Sequence, residues 1–351
     1  MLKKFLPGPL KYLLAVFYVA TKCFLRGMPI KEIRLNLAGT LPPIGSDKIV
    51  HGGKVKLLHL REKFGDTWKK FNVAYFVSSG LPFAPSIWIK IYRWFGIKVV
   101  WNQNGTAYKA WAGNKADEIN SLMKPMHGAD YVIYQTEFTK RCSDKFLGKF
   151  QGPSEVLINP VDTKKFVPPT VPLSLEPFIV IMSGHHFESK ERLRVSLEAM
   201  RELRKKGEKT KLIIIGNTQE LPNEEWIEVV GKFNQEDAPA LYHKAHVMLH
   251  LKILDPCPTF VLEALSCGLP VVGLMNGGMP ELVGNRAGIL IPAVEDFEQF
   301  RYPTPVQVAN ALLETKNNLQ EFSKNARNQT LKFDKEIWLK RHEEIFNKLL
   351  K

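Results

Sequence analysis

At 351 residues, 45% hydrophobic and 24% charged, the chain has an ordinary globular composition and is long enough for two domains with separate cores. Its four cysteines, Cys23, Cys142, Cys257 and Cys267, fit neither a metal nor a disulfide-framework spacing, so they read as reduced thiols. The net charge of +14 is unevenly held: residues 1–165 carry 26 Lys and Arg against 11 Asp and Glu, whereas residues 166–351 carry 23 against 24. An anionic membrane surface suits that basic half better than nucleic acid, because no basic helix with interleaved stacking aromatics and no nucleic-acid motif is present. A solvated basic face without a partner is the alternative.

The chain opens on Lys3-Lys4 and Pro7-Gly8-Pro9, followed by an apolar run from Leu10 to Phe24. Its uncharged core, residues 12–21, is half of the ~20 residues needed to span a bilayer. No small-x-small cleavage site follows it cleanly, as a signal peptide would require. Residues 1–27 are therefore expected to form a helix on a membrane surface, or one packed on the first domain.

Further along, apolar runs alternate with helical stretches, which predicts doubly wound parallel sheets. Strands are expected at 32–37, 73–77, 98–101, 131–134 and 155–158, then at 178–182, 212–215, 227–230, 247–251, 270–274 and 288–291. Between the sets lies Val167-Pro-Pro-Thr-Val-Pro-Leu-Ser-Leu-Glu-Pro177, whose four prolines cannot continue a helix or a central strand. It predicts a linker at 167–177, between a first domain at 28–166 and a second at 178–332. An amphipathic helix closes the chain at 333–351.

Four segments carry chemistry. His51-Gly52-Gly53-Lys54-Val55 places paired glycines at a loop-to-helix junction, where backbone approaches a ligand closely and an anion is favoured. Trp101-Asn102-Gln103-Asn104-Gly105 ends a strand. Ser183-Gly184-His185-His186-Phe187-Glu188-Ser189-Lys190 follows another. The fourth and most informative is Asp255-Pro-Cys-Pro-Thr-Phe-Val-Leu-Glu263, two acids flanking the N-terminus of a helix that starts near Phe260 and carries Glu263. Its N-terminal amides suit a phosphate, and its carboxylates suit sugar hydroxyls. Cys267-Gly268-Leu269-Pro270 breaks that helix, and Asn276-Gly277-Gly278-Met279-Pro280-Glu281 follows the next strand.

The run from Asp255 to Pro292 resembles the donor-site signature of family-4, retaining GT-B glycosyltransferases, the group 1 glycosyltransferases. It matches acid–x7–Glu-Ala-x-x-Cys-Gly-x-Pro-Val-Val and then Gly-Gly-x-Pro-Glu, with Asp255 where Glu is usual. The resemblance implies two Rossmann-like domains facing across a cleft, with the last helix bracing the first domain. It implies transfer of a sugar from a nucleotide sugar to a glycan or lipid-linked acceptor, in polysaccharide or glycolipid biosynthesis. Such an enzyme is expected in the cytoplasm, as a soluble protein or peripheral on the inner face of the membrane.

Site roles follow from the same resemblance. Gly52 and Gly53 match the loop that closes over the donor diphosphate, and Gly184 with Lys190 matches Gly-Arg-x-x-x-x-Lys. Lys190 then neutralises the leaving diphosphate, while His185 stands where the family has Arg and carries no fixed charge. Asn104 replaces a His near the reacting sugar and hydrogen-bonds without exchanging protons. Asp255 contacts the transferred sugar, Glu263 the nucleotide ribose, and Val261, Gly277, Gly278 and Glu281 complete the donor site. No Asp-x-Asp occurs in the chain, so charge neutralisation without a metal or other cofactor is expected. A GT-B-shaped nucleotide-sugar-binding or regulatory protein is the alternative, supported by His185 and Asn104.

Overall fold

The computed structural model describes residues 8–28, 31–38, 40–42, 54–183, 190–216, 223–231, 233–234 and 236–351. The chain forms two compact units, Met1–Ile158 with Glu336–Lys351 and Asn159–Lys335.

The first unit contains α1 Gly8–Phe24, β1 Leu35–Asn36, α2 Val55–Phe64, β2 Val73–Val77, α3 Pro85–Trp94 and β3 Lys98–Gln103. It continues through α4 Lys109–Ala112, α5 Ala116–Met123, β4 Tyr131–Tyr134, α6 Glu137–Phe146 and β5 Ser154–Val156. The strands pair in parallel in the order β1-β2-β3-β4-β5. Val73 to Val77 are all buried, as a parallel strand covered on both faces requires. Alternate residues feed two cores. Ala74, Phe76, Val99 and Trp101 pack with Trp88 and Tyr92 of α3, and with Val19 and Cys23 of α1. Val73, Tyr75, Val77 and Val100 pack with Leu57 and Leu60 of α2 on the other face.

The second unit contains β6 Phe178–Ser183, α7 Lys190–Lys205, β7 Thr210–Ile215, β8 Ile227–Val230, α8 Ala238–Tyr242, β9 Val247–His250 and α9 Thr259–Ser266. After these come β10 Val271–Met275, α10 Met279–Val283, β11 Gly288–Pro292, α11 Pro305–Asn317 and α12 Leu319–Thr330. Its six parallel strands are ordered β11-β10-β9-β6-β7-β8. Each expected strand is present, with ends shifted by a few residues and β1 cut to two. The chain runs outward from β6 to β8, then returns to the other side of β6 with β9. That reversal is a topological switch point at the carboxyl ends of β6 and β9, the place where open α/β sheets bind ligands.

The second unit begins at Asn159, ahead of the proline-rich stretch. Hydrogen bonds hold this entry segment to the unit: Asn159 Nδ2 donates to Cys257 O at 3.2 Å, and Val161 bridges Asp334. Asp162 pairs with Lys335 at 2.7 Å. Residues 167–177 then run over the same unit without regular structure, with His243 Nε2 donating to Val167 O at 2.7 Å.

The last helix, α13 Lys335–Leu350, returns to the first unit. Trp338, Leu339, Ile345 and Phe346 join the α2-side core, one stripe of an amphipathic helix. Between them His342 is fully buried. Its Nδ1 lies 2.9 Å from Trp338 O and donates to it, which leaves Nε2 to accept from the Tyr75 hydroxyl at 3.0 Å. Burial pushes the imidazole pKa down to about 3, against the opposing pull of the Trp338 carbonyl. Between the ordinary value of 6.5 and about 3, the unfolded chain therefore binds a proton that the folded chain refuses. This contribution to stability is whole above pH 6.5 and is lost as pH falls toward 3, at up to about 1.4 kcal/mol per pH unit. Replacing His342 by Gln keeps an acceptor for Tyr75 and removes the titration. The melting temperature of the variant should fall less between pH 7 and pH 5 than that of the native chain, and equal falls would refute the assignment.

Candidate functional site

In the second unit, the predicted residues gather at the carboxyl ends of three neighbouring strands. The segment after β6 contains Gly184 and His185, which lie outside the described residues, and it leads to Lys190, the exposed first residue of α7. A cation at a helix N-terminus opposes the helix dipole. An anion bound beside it would reverse that penalty.

Asp255 lies in the loop after β9 and is 7% exposed. Its Oδ2 is 3.2 Å from His250 Nε2, at the end of β9, and 3.5 Å from Lys252 Nζ. Burial alone would raise the carboxyl pKa. The Lys252 charge and the His250 hydrogen bond outweigh it and hold the group well below the usual carboxylate range. Asp255 is thus a carboxylate throughout the neutral range. It accepts hydrogen bonds or faces positive charge, and it has no proton to donate.

The loop after β10 is fastened to the backbone on either side of this carboxylate. Asn276 Oδ1 accepts from Leu254 N at 3.1 Å, and Gly278 N donates to Asp255 O at 2.9 Å. Leu254 and Gly277 both adopt left-handed backbone, with φ of 53° and 63°. A Cβ on Gly277 would lie 2.7 Å from Asp255 O and 2.9 Å from Asp255 N, so only glycine fits there. The Nδ2 of Asn276 is buried without a hydrogen-bond partner, a polar atom placed next to the Asp255 loop.

Glu263, in the middle of α9, is 6% exposed and accepts from the Tyr242 hydroxyl at 2.7 Å. Burial, then the Glu263 charge, raises the Tyr242 pKa, so the phenol stays a donor. That bond from Tyr242 orients the Glu263 carboxylate. Val261 is fully buried, and its N–H donates to Pro258 O at 3.2 Å. Its side chain is part of the buried core. Glu281 lies in the first turn of α10, a helix whose carbonyls at Glu281 and Leu282 accept from Gln329.

Two predicted groups belong to the first unit. Gly52 and Gly53 lie outside the described residues. Asn104 follows the carboxyl end of β3, where its Nδ2 donates to Ser79 Oγ at 2.8 Å and its Oδ1 accepts from Ser79 N at 3.0 Å. Both ends of that amide brace the loop after β2.

Sequence reasoning missed His250, Lys252, Asn276 and Tyr242. The first two were signalled by basic residues just before Asp255, at a strand end. Asn276 sat unremarked inside a quoted motif. Tyr242 gave no signal, since it meets Glu263 from 21 residues away on another helix.

Residues 165–329 match the profile of the family described as "Glycosyl transferases group 1". The putative colanic acid biosynthesis glycosyltransferase WcaL of Escherichia coli (strain K12) is 27% identical over 149 residues, 38% of this chain and 36% of that protein. The aligned region thus spans about a third of that relative's length. Sucrose-phosphate synthase from Thermosynechococcus elongatus superposes with a TM-score of 0.61 at 14% identity, covering 84% of this chain and 76% of that one. Anabaena HepE in complex with UDP-glucose does so with a TM-score of 0.61 at 13% identity, covering 84% and 81%. These likenesses fix the fold as GT-B, with two parallel-sheet Rossmann-like domains. The matched segment, which contains Lys190, Asp255, Glu263 and Gly277-Gly278, is thus similar to the group 1 glycosyl transferases over a little under half of the chain.

Proposed function

We propose that this chain is a retaining, metal-independent family-4 glycosyltransferase that moves a sugar from a nucleotide sugar to a glycan or lipid-linked acceptor. The observation that carries the reading is Asp255, a buried carboxylate kept ionised by His250 and Lys252 at the carboxyl end of β9, beside the topological switch. An acceptor-only group suits the hydroxyls of a transferred sugar and the positive charge that develops at its anomeric carbon. It cannot serve as a general acid. In the proposed step the bond from anomeric carbon to phosphate oxygen breaks on the face where the acceptor oxygen bonds. The acceptor proton passes to the departing phosphate oxygen. Lys190 offsets the charge accumulating on the diphosphate, and Glu263, preset by Tyr242, takes the nucleotide ribose. The HepE complex with UDP-glucose supports a uridine diphosphate sugar as the first donor to try.

The test is a thermal-shift screen against uridine, guanosine and adenosine diphosphates and their sugars, followed by a transfer assay with the stabilising donor. Lys190→Ala should lower kcat by about 10²–10³-fold, with the melting temperature unchanged, because the interaction is made chiefly with the leaving group. Transfer at the parent rate would remove Lys190 from the mechanism. Stabilisation without turnover would favour the nucleotide-sugar-binding protein, and no stabilisation by any donor would sink both readings.

A further inference from the structure

One face of the first unit is built as though it were not meant for water. Helix α1 buries Val19 and Cys23 against the α3 side of the core. The two helices run side by side in the same direction: Tyr12 meets Phe83 ring to ring at 5.2 Å, Tyr18 meets Trp88 at 6.3 Å, and Arg26 donates to Phe95 O at 2.8 Å. The opposite face of α1 is apolar too. Leu13, Phe17 and Phe24 are 68%, 70% and 77% exposed, and their spacing of four and seven residues puts them in one stripe. On the α3 side, Phe83, which meets Tyr12, is 53% exposed, and Trp94 at the end of the helix is 82% exposed. Large apolar side chains left exposed together on one unit mark an interaction site.

Charge identifies the partner. Residues 1–31 and 67–103, which supply α1, α3 and the strands they cover, contain eleven Lys and Arg and no Asp or Glu. Lys69, Lys70, Lys90 and Arg93 are exposed. Lys22 lies over the Tyr18 and Trp68 rings, at 5.8 and 5.7 Å from their centroids. Apolar side chains framed by cations, with Tyr and Trp among them, match the interface of a bilayer carrying anionic headgroups. Among the described residues no helix is long and apolar enough to cross a membrane. With 17 residues α1 is about 25 Å long, short of a ~30 Å hydrocarbon core, and one of its faces is already committed to protein.

We propose that the outer face of α1, with Phe83 and Trp94, is a monotopic docking surface for an anionic lipid bilayer, with α1 lying in the plane of the interface. This goes beyond the proposed transfer reaction and does not depend on it. The geometry enlarges the surface expected from residues 1–27 alone, since α3 contributes to it.

The test uses the full chain and vesicles of phosphatidylcholine, alone or mixed with phosphatidylglycerol, in co-sedimentation at low and high salt. The native chain should pellet with the mixed vesicles, less so at high salt, and only weakly with the neutral ones. Leu13→Glu with Phe17→Glu should weaken binding by about a hundredfold or more, with the circular dichroism and melting temperature unchanged, because both side chains point away from the core. Trp94→Ala, on the other helix, should weaken it by about tenfold or more. Native protein left in the supernatant of both vesicle types would overturn the proposal, as would a double variant that binds like the native chain. A native dimer in solution that the double variant converts to monomer, without vesicle binding by either, would assign the face to a second copy and likewise overturn it.

Discussion

Asp255→Asn should cost about 10³-fold or more in sugar transfer while leaving the chain folded. The amide keeps the shape of the side chain but removes the negative charge facing His250 and Lys252, and with it the stabilisation proposed for the transition state. Stability should fall as well, on the order of 1–3 kcal/mol at neutral pH, because the hydrogen bond from His250 to a buried charge becomes a weaker one to an amide and the attraction between Asp255 and Lys252 is removed. The sign of the pH dependence is fixed by the direction of the shift. A carboxyl whose folded pKa lies below its ordinary 3.8 contributes fully above that value and loses its contribution as pH drops below it. Native and variant melting curves should therefore converge in acid and separate near neutrality. A constant difference across pH would mean that the loss comes from packing rather than charge.

The second large effect is expected at Gly277. Alanine there needs left-handed backbone, at a cost of about 1–2 kcal/mol, and its Cβ collides with backbone atoms of Leu254 and Asp255 that have no rotamer to move. Gly277→Ala should destabilise the second unit by about 3 kcal/mol, on the order of 10 °C in melting temperature. Donor affinity should fall with it, since the loop that clashes is the one holding Asp255. Gly278 has ordinary backbone, with φ of −84°, so Gly278→Ala carries no such conformational penalty. Calorimetry of the two variants side by side checks the claim. If Gly277→Ala melts no lower than Gly278→Ala, the close approach of the two loops is not what glycine is there for.

What the sequence determined by itself follows from local rules. The central strands were legible because a parallel strand covered on both faces is an unbroken apolar run, as in Val73–Val77, whereas the edge strands Ser154–Val156 and Ile227–Val230 are partly exposed and each carries a Glu. The helix that starts between the acids and carries Glu263 was legible from the Gly268-Leu269-Pro270 that breaks it. Asp255, Glu263 and Gly277-Gly278 stood out because their spacing resembles one family's donor site, and the strand order brings Asp255 and the glycines to adjoining strand ends.

Tertiary structure alone decided the partners. Burial would raise the Asp255 pKa, and the contacts that lower it, from Lys252 and His250 to one carboxylate oxygen, are fixed only by the folded loop. Glu263 meets Tyr242 only because α8 and α9 pack together, and Val261 faces inward on the same helix that presents Glu263. Asn104, read as a group for sugar hydroxyls, has both ends tied to Ser79 by a neighbouring strand end. The start of the second unit at Asn159, ahead of the prolines, is set by hydrogen bonds to residues about a hundred or more positions away. The first helix shows the division most plainly. Its apolar run was visible as residues, but which side meets α3 and which is left facing outward is settled by packing, because a helix that is apolar all round gives no periodicity from which to choose.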